Sequence, residues 1–225
     1  MRGADLSGED IYHGGLTGDI AAFVSQPAYA HYRKLVLFGF SMGGHLALRA
    51  AVEKIDPRLS AVVAVSPPVD IPGAVDSLDS PQRTLYRRYI IHGLQRIYAA
   101  VATRRRVAVP ARVVRQATTF RELDELTVVP RFGFRSADHY YSQITLSRRL
   151  HQVQVPVLIV GSNHDPVIPA HVLRRGLIGA SRSIVTRWVD GGGHVHYPRS
   201  TDLGLGPAPL GLASQCMHWA WRNAR

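Results

Sequence analysis

Apolar positions along this chain fall into two rhythms. Four segments begin with apolar runs that read as strands, the first two as buried strands and the fourth interrupted by Thr186 and Arg187: "KLVLF" (Lys34–Phe38), "LSAVVAVSPPVD" (Leu59–Asp70), "VPVLIVGSNHDPVIP" (Val155–Pro169) and "SIVTRWVDGGGH" (Ser183–His194). Unbroken runs rich in Val, Ile and Leu read as strands buried on both faces, as in a parallel sheet. Pro67-Pro68 ends the second strand, a polar turn follows the third, and a glycine loop follows the fourth. The other rhythm is helical. "HLALRAAV" (His45–Val52) is rich in Ala and Leu, and "ASQCMHWAWRNAR" reads as a C-terminal helix. Residues 1–10 read as a loop, and "YHGGLTGDIAAFVSQ" predicts a turn followed by a helix to about Phe23. Strands that alternate with helices predict an α/β fold, with a mostly parallel sheet and helices on both faces.

One stretch breaks the alternation. Residues 71–150, between the second and third strands, are Arg-rich and aromatic, and "RTLYRRYIIHGLQRIYAAVATRRR" within them predicts a long helix. An insertion at that point emerges at the carboxyl ends of the strands, where α/β sheets place their sites. The chain therefore reads as one domain, 1–225, with 71–150 as a helical cap; an ordinary crossover with loops is the plainer alternative. Tyr86, Ile90, Leu94 and Tyr98 recur at four-residue spacing. With Tyr140 and Tyr141 they fit an acyl pocket or, more simply, a packed helix face.

Composition narrows the class. At 225 residues the chain is long enough for one sizeable core. No run of about 18 apolar residues predicts a spanning helix, and "MRGADLSGED" has no apolar core of a signal peptide. The single Cys216 excludes an internal disulfide and suits a reducing, cytoplasmic setting. Formal charge is +11, yet Lys34 and Lys54 are the only lysines among 27 basic residues. That bias toward arginine reads as compositional. No zinc-finger, helix-turn-helix or aromatic-interleaved basic motif accompanies it, so nucleic acid is not the expected partner.

The chemistry sits where the first strand meets its helix. Gly39-Phe40-Ser41-Met42-Gly43 fits G-x-S-x-G, the tight strand-to-helix turn that exposes a nucleophilic serine. Glycines flank the serine because side chains there would collide with the neighbouring strand and helix. The helix N-terminus then offers backbone N–H groups to developing negative charge. A glycine-rich turn whose serine merely caps a helix would look the same locally. A catalytic serine needs a base, and the base needs an orienting carboxylate. Asp165 follows the third strand and His194 the fourth, so both lie at the sheet edge that carries Ser41, in the order Ser–Asp–His. His164 and His196 are rival bases and Asp70, after the second strand, a rival acid.

Taken together, "MRGADLS", "YHGGLTGDI", "LFGFSMGGHLALR", "AVVAVSPPVD", "FRELDELTVVPRFGFRSADHYYSQIT", "VPVLIVGSNHDPVIP" and "GGGHVHY" resemble the YheT-like α/β-hydrolases, which are related to the eukaryotic α/β-hydrolase-domain lipases. The resemblance covers nearly the whole chain. It implies an α/β-hydrolase fold, Ser41 as nucleophile, Asp165 as acid, His194 as base and the Met42 backbone N–H as an oxyanion donor. It further implies cytoplasmic or membrane-peripheral hydrolysis of a small-molecule or lipid ester, with no metal or organic cofactor. Members of that group carry a further stretch ahead of "RG", with the first strands of the sheet and a His-Gly loop that supplies a second oxyanion donor. On this resemblance the chain is N-terminally truncated. "KLVLF" would then have an unpaired apolar edge open to self-association, and loss of one oxyanion donor costs about 10²- to 10³-fold in rate.

The sequence thus predicts a serine hydrolase that cleaves carboxylic esters through an acyl-enzyme. Two other readings stay open: a catalytically impaired remnant of such an enzyme, and a basic module for an anionic membrane or nucleic acid.

Overall fold

The computed structural model describes residues 8–224; the "MRGADLS" segment lies outside the described residues. Four parallel strands form one sheet in the order β1-β2-β3-β4: β1 (Leu35–Phe40), β2 (Leu59–Val65), β3 (Val157–Ser162) and β4 (Ile184–Val189). The register is continuous where it matters for function. Gly39 lies beside Ala64, Phe40 beside Val65, and Ser162 beside Val189, so the carboxyl ends of all four strands finish close together.

The chain divides into two compact units. One comprises Gly14–Asp70 and Thr145–Arg225 and holds the sheet; the other holds Ile71–Ile144 with residues from the N-terminus.

In the sheet unit the strand alternation sorts side chains to two faces. Ala61, Val63 and Val65 of β2 and Leu158 and Val160 of β3 pack on Cys216, Trp219 and Ala220 of the C-terminal helix, α10 (Leu212–Asn223). Burial pushes the Cys216 thiol up to about 12, which keeps it protonated and inert. The opposite face receives α2 (Met42–Glu53), whose Gly44 comes against Ala64. α1 (Gly18–Val24) precedes β1, and α9 (Ala170–Gly176) joins β3 to β4.

One strand expectation needs correction. β1 is not buried on both faces: Leu35 to Phe38 are half-buried and Phe40 is exposed, because among the described residues β1 has β2 as its single neighbour. The second strand stops at Val65, just before the Ser66 that precedes Pro67-Pro68. Ser66 there takes a left-handed backbone (φ 49°), which no strand can continue through.

The second unit is helical: α3 (Ile71–Leu78), α4 (Thr84–Ala102), α5 (Ala111–Val114), α6 (Phe120–Leu126), α7 (Val128–Phe132) and α8 (Ala137–Ile144). Ile71, Val75, Ile91, Tyr98, Val101, Leu123, Tyr140 and Tyr141 form its core. The four-residue series 86–90–94–98 does not stay on one face. Each step of four overshoots a helical turn by about 40°, so the series rotates out of the core. Tyr98 is 4% exposed, whereas Tyr86 is 47% exposed. Two of the buried tyrosines satisfy their hydroxyls locally: Tyr98 donates to the Val109 carbonyl at 2.7 Å, and Tyr141 to Asp124 Oδ2 at 2.7 Å. Burial pushes the Asp124 carboxyl up to about 7 against that hydrogen bond.

The burial contrast between strands predicts an ordering. Leu158 in β3 is fully buried, and Leu158→Ala should destabilise the chain by about 2–5 kcal/mol. Leu37→Ala in half-buried β1 should cost less than half as much. Urea unfolding of the two variants checks this; equal losses would contradict the edge position of β1.

Candidate active site

Ser41 occupies the turn between β1 and α2. Its backbone sits at φ 52°, ψ −123°, a conformation that costs a non-glycine residue about 1–3 kcal/mol and must be held by its surroundings. Three contacts hold it. The Ser41 N–H donates to the Val65 carbonyl at 2.8 Å, and the Ser41 carbonyl accepts from the His45 N–H at 3.0 Å. The third is the close passage of Gly39 under the helix: a Cβ on Gly39 would lie 2.3 Å from the Gly43 oxygen and 2.6 Å from the Gly44 nitrogen. The flanking glycines are not equivalent. Open space surrounds a Cβ built on Gly43. Gly44, outside the G-x-S-x-G pattern, is the tighter one, with its Cβ 3.0 Å from the Gly39 oxygen.

Sequence reasoning passed over His45, four residues after Ser41 and fully buried. Its Nδ1 lies 2.9 Å from the Pro68 carbonyl and its Nε2 3.1 Å from the Gly14 carbonyl. Burial pushes its pKa down to about 4, so the ring is neutral near pH 7 and donates to one of the two. His45 thereby ties the start of α2 to the segment after β2 and to the Gly14 turn. A histidine at helical spacing among inward Leu and Val was the available signal.

Three side chains meet at the carboxyl end of the sheet. His194 Nε2 lies 2.7 Å from Ser41 Oγ. On its other side, Nδ1 lies 2.9 Å from Asp165 Oδ2 and 3.1 Å from Oδ1. The Asp165 side chain is 2% exposed and that of His194 15%. Asp165 Oδ1 also accepts from the backbone N–H groups of Val167 (2.8 Å) and Ile168 (2.9 Å). Those two donors fix the plane of the carboxylate. Asp165 is thus a turn residue and a histidine partner at once. The rivals lie elsewhere: His164 and His196 are exposed, and Asp70 Oδ2 accepts from Arg175 at 2.9 Å. The Met42 N–H is the first of α2, where helix N–H groups have no partner within the helix.

A second tier joins the loops that carry Asp165 and His194. Ser162, the last residue of β3, donates its hydroxyl to the Gly192 carbonyl at 2.9 Å and accepts from the His164 N–H at 3.1 Å. Asn163 Nδ2 donates to Asp190 Oδ1 at 2.6 Å, and Arg174 donates to Asn163 Oδ1 at 2.8 Å. The buried Tyr197 hydroxyl lies 3.2 Å from Ser66 Oγ, which pins the far side of the His194 loop. Ser and Asn where a strand ends were the sequence cue for such turn bonding.

With this geometry in place, comparison with known proteins is decisive at the level of family. A family model described as "Alpha/beta hydrolase family" matches residues 3–203. The chain belongs to the alpha/beta hydrolase family. It is 29% identical over 165 residues to "Phospholipase ABHD3" of Bos taurus, covering 71% of this chain and 39% of that protein. It is 24% identical over 167 residues to "Monoacylglycerol lipase" of Saccharomyces cerevisiae, covering 70% of this chain and 37% of the relative. Among solved structures, a Pyrococcus furiosus esterase, Pf2001, superposes with a TM-score of 0.47 at 11% identity, over 82% of this chain and 56% of that one. The chain spans about two fifths of the length of the curated relatives it matches.

The glycine geometry separates two variants of this alpha/beta hydrolase. Gly39→Ala should fail to assemble the turn, with a large loss of thermal stability or of soluble protein. Gly43→Ala should match the wild type or exceed it by up to about 1 kcal/mol. Thermal unfolding of both checks this, and a benign Gly39→Ala would refute the close-approach argument.

Proposed function

We propose that this chain is a serine hydrolase acting on carboxylic esters, with Ser41 as nucleophile, His194 as general base and Asp165 as the group that orients the imidazole. The observation that carries the reading is the continuous chain Ser41 Oγ–His194 Nε2 (2.7 Å) and His194 Nδ1–Asp165 Oδ2 (2.9 Å). As Ser41 Oγ attacks the ester carbonyl, Nε2 takes its proton and the Asp165 carboxylate stabilises the imidazolium. The Met42 N–H faces the charge that develops on the carbonyl oxygen. The proton passes to the departing alkoxide and leaves an acyl group on Ser41. Water, deprotonated by Nε2, then releases the acid. None of these steps calls for a metal or organic cofactor.

The names of the relatives, a phospholipase and a monoacylglycerol lipase, support lipid esters as the substrate class. The sequence resemblance to YheT-like members supports that subgroup of the family.

Hydrolysis of p-nitrophenyl esters of increasing acyl length tests the reading. Ser41→Ala should reduce turnover to background. Asp165→Asn should lower kcat by about 10⁴-fold, as the equivalent exchange does in a serine protease, with little change in KM. Hydrolysis that survives Ser41→Ala would overturn it.

A further inference from the structure

The chain's positive charge is not spread over it. Residues 80–121 contain ten arginines and no acidic residue, so this stretch alone carries +10 of the formal +11. Some of these arginines are used internally. Arg105 pairs with Asp10 at 2.6 Å, Arg121 with Asp76 and Asp138, and Arg87 donates to the carbonyls of Asp79 and Ser80. Arg88, Arg96, Arg106, Arg112 and Arg115 are exposed and form no ion pair among the described residues.

Helix α4 organises this charge around apolar residues. Its inner side buries Ile91, Tyr98 and Val101. Its outer side carries Leu85, Arg88, Tyr89, His92 and Arg96, which recur at the 3–4 residue spacing of a single face. Leu85 is 81% exposed and Tyr89 82%, and Tyr86 beside them is 47% exposed. Gln95 donates to the carbonyls of Val114, Arg115 and Ala117, which ties the segment bearing Arg112 and Arg115 to the same helix. A leucine and two tyrosines held out to water cost free energy in solution, and arginines alone would suffice for solubility.

We propose that the outer face of α4 is a docking surface for an anionic lipid bilayer. Leu85 enters the acyl boundary, Tyr86 and Tyr89 sit at headgroup level, and Arg88, Arg96, Arg112 and Arg115 meet lipid phosphates. A polar face rich in arginine beside exposed leucine and tyrosine is the composition of helices that lie in the membrane interface. No helix among the described residues is long and apolar enough to cross a membrane. Single-stranded nucleic acid would use the same charges and could stack on tyrosine, but it gains nothing from a protruding leucine. The proposal rests on the helical unit alone and does not depend on the catalytic role of Ser41.

Flotation of the full chain with vesicles of phosphatidylcholine, with and without phosphatidylglycerol, tests it. Binding should require the anionic lipid and weaken as salt is raised. Arg88→Gln and Arg96→Gln should each reduce binding about five-fold, the effect of one basic residue near a charged bilayer. Leu85→Ser with Tyr89→Ser should abolish it while thermal unfolding stays unchanged. Tryptophan emission from Tyr89→Trp should shift to the blue on anionic vesicles. Absence of binding to anionic vesicles at low salt would overturn the proposal. So would binding indifferent to both sets of substitutions, or salt-sensitive retention of single-stranded RNA without vesicle binding.

Discussion

The backbone of Gly39 passes so close to that of Gly43 that no side chain fits on Gly39, and the positive-φ turn at Ser41 depends on that approach. Everything at the carboxyl edge of the sheet is arranged around it. β1 must hydrogen-bond to β2 so that the Val65 carbonyl can hold the Ser41 N–H. α2 starts at once, with Met42 as its first residue directly after Ser41. His45 fastens that helix start to the Pro68 and Gly14 segments from within the core. The strain at one residue is supported by three elements, each stabilised by its own burial.

The parallel register then does for Asp165 and His194 what the turn does for Ser41. β3 and β4 end level with each other, and both loops leave the sheet on the same edge. Ser162 and Asn163 bond one loop to the other before either reaches the serine. The buried carboxylate of Asp165 is held by two backbone N–H groups, so the imidazole it binds has little freedom to turn away from Ser41. In the proposed hydrolase, preorganisation of this kind lets the Ser41 hydroxyl compete as a nucleophile.

Much of this was legible in the sequence, because strand, turn and chain order are local properties. Runs rich in Val, Ile and Leu marked the strands, and Gly39, Ser41 and the order Ser–Asp–His marked the candidate site. What stayed hidden depended on neighbours in space. The unpaired edge of β1 followed from the family resemblance, but nothing in "KLVLF" itself says that the strand is half-buried. Nothing in "AVSPPVD" says that Ser66 turns left-handed. The four-residue tyrosine and leucine series in α4 misleads, since a true helical face alternates steps of three and four; Ile91, Tyr98 and Val101 show the actual core side. Thr119 and Glu122 did carry a readable sign, the T-x-x-E capping box that starts α6.

The central claim is that Ser41 is activated by this surrounding geometry rather than by residue type. The most direct measurement is fluorophosphonate labelling of the folded chain, with the adduct mapped by peptide mass spectrometry. The account predicts one adduct, on Ser41, that is lost on denaturation and strongly slowed in His194→Ala. A folded chain that takes no label, or takes it on another serine, would contradict it.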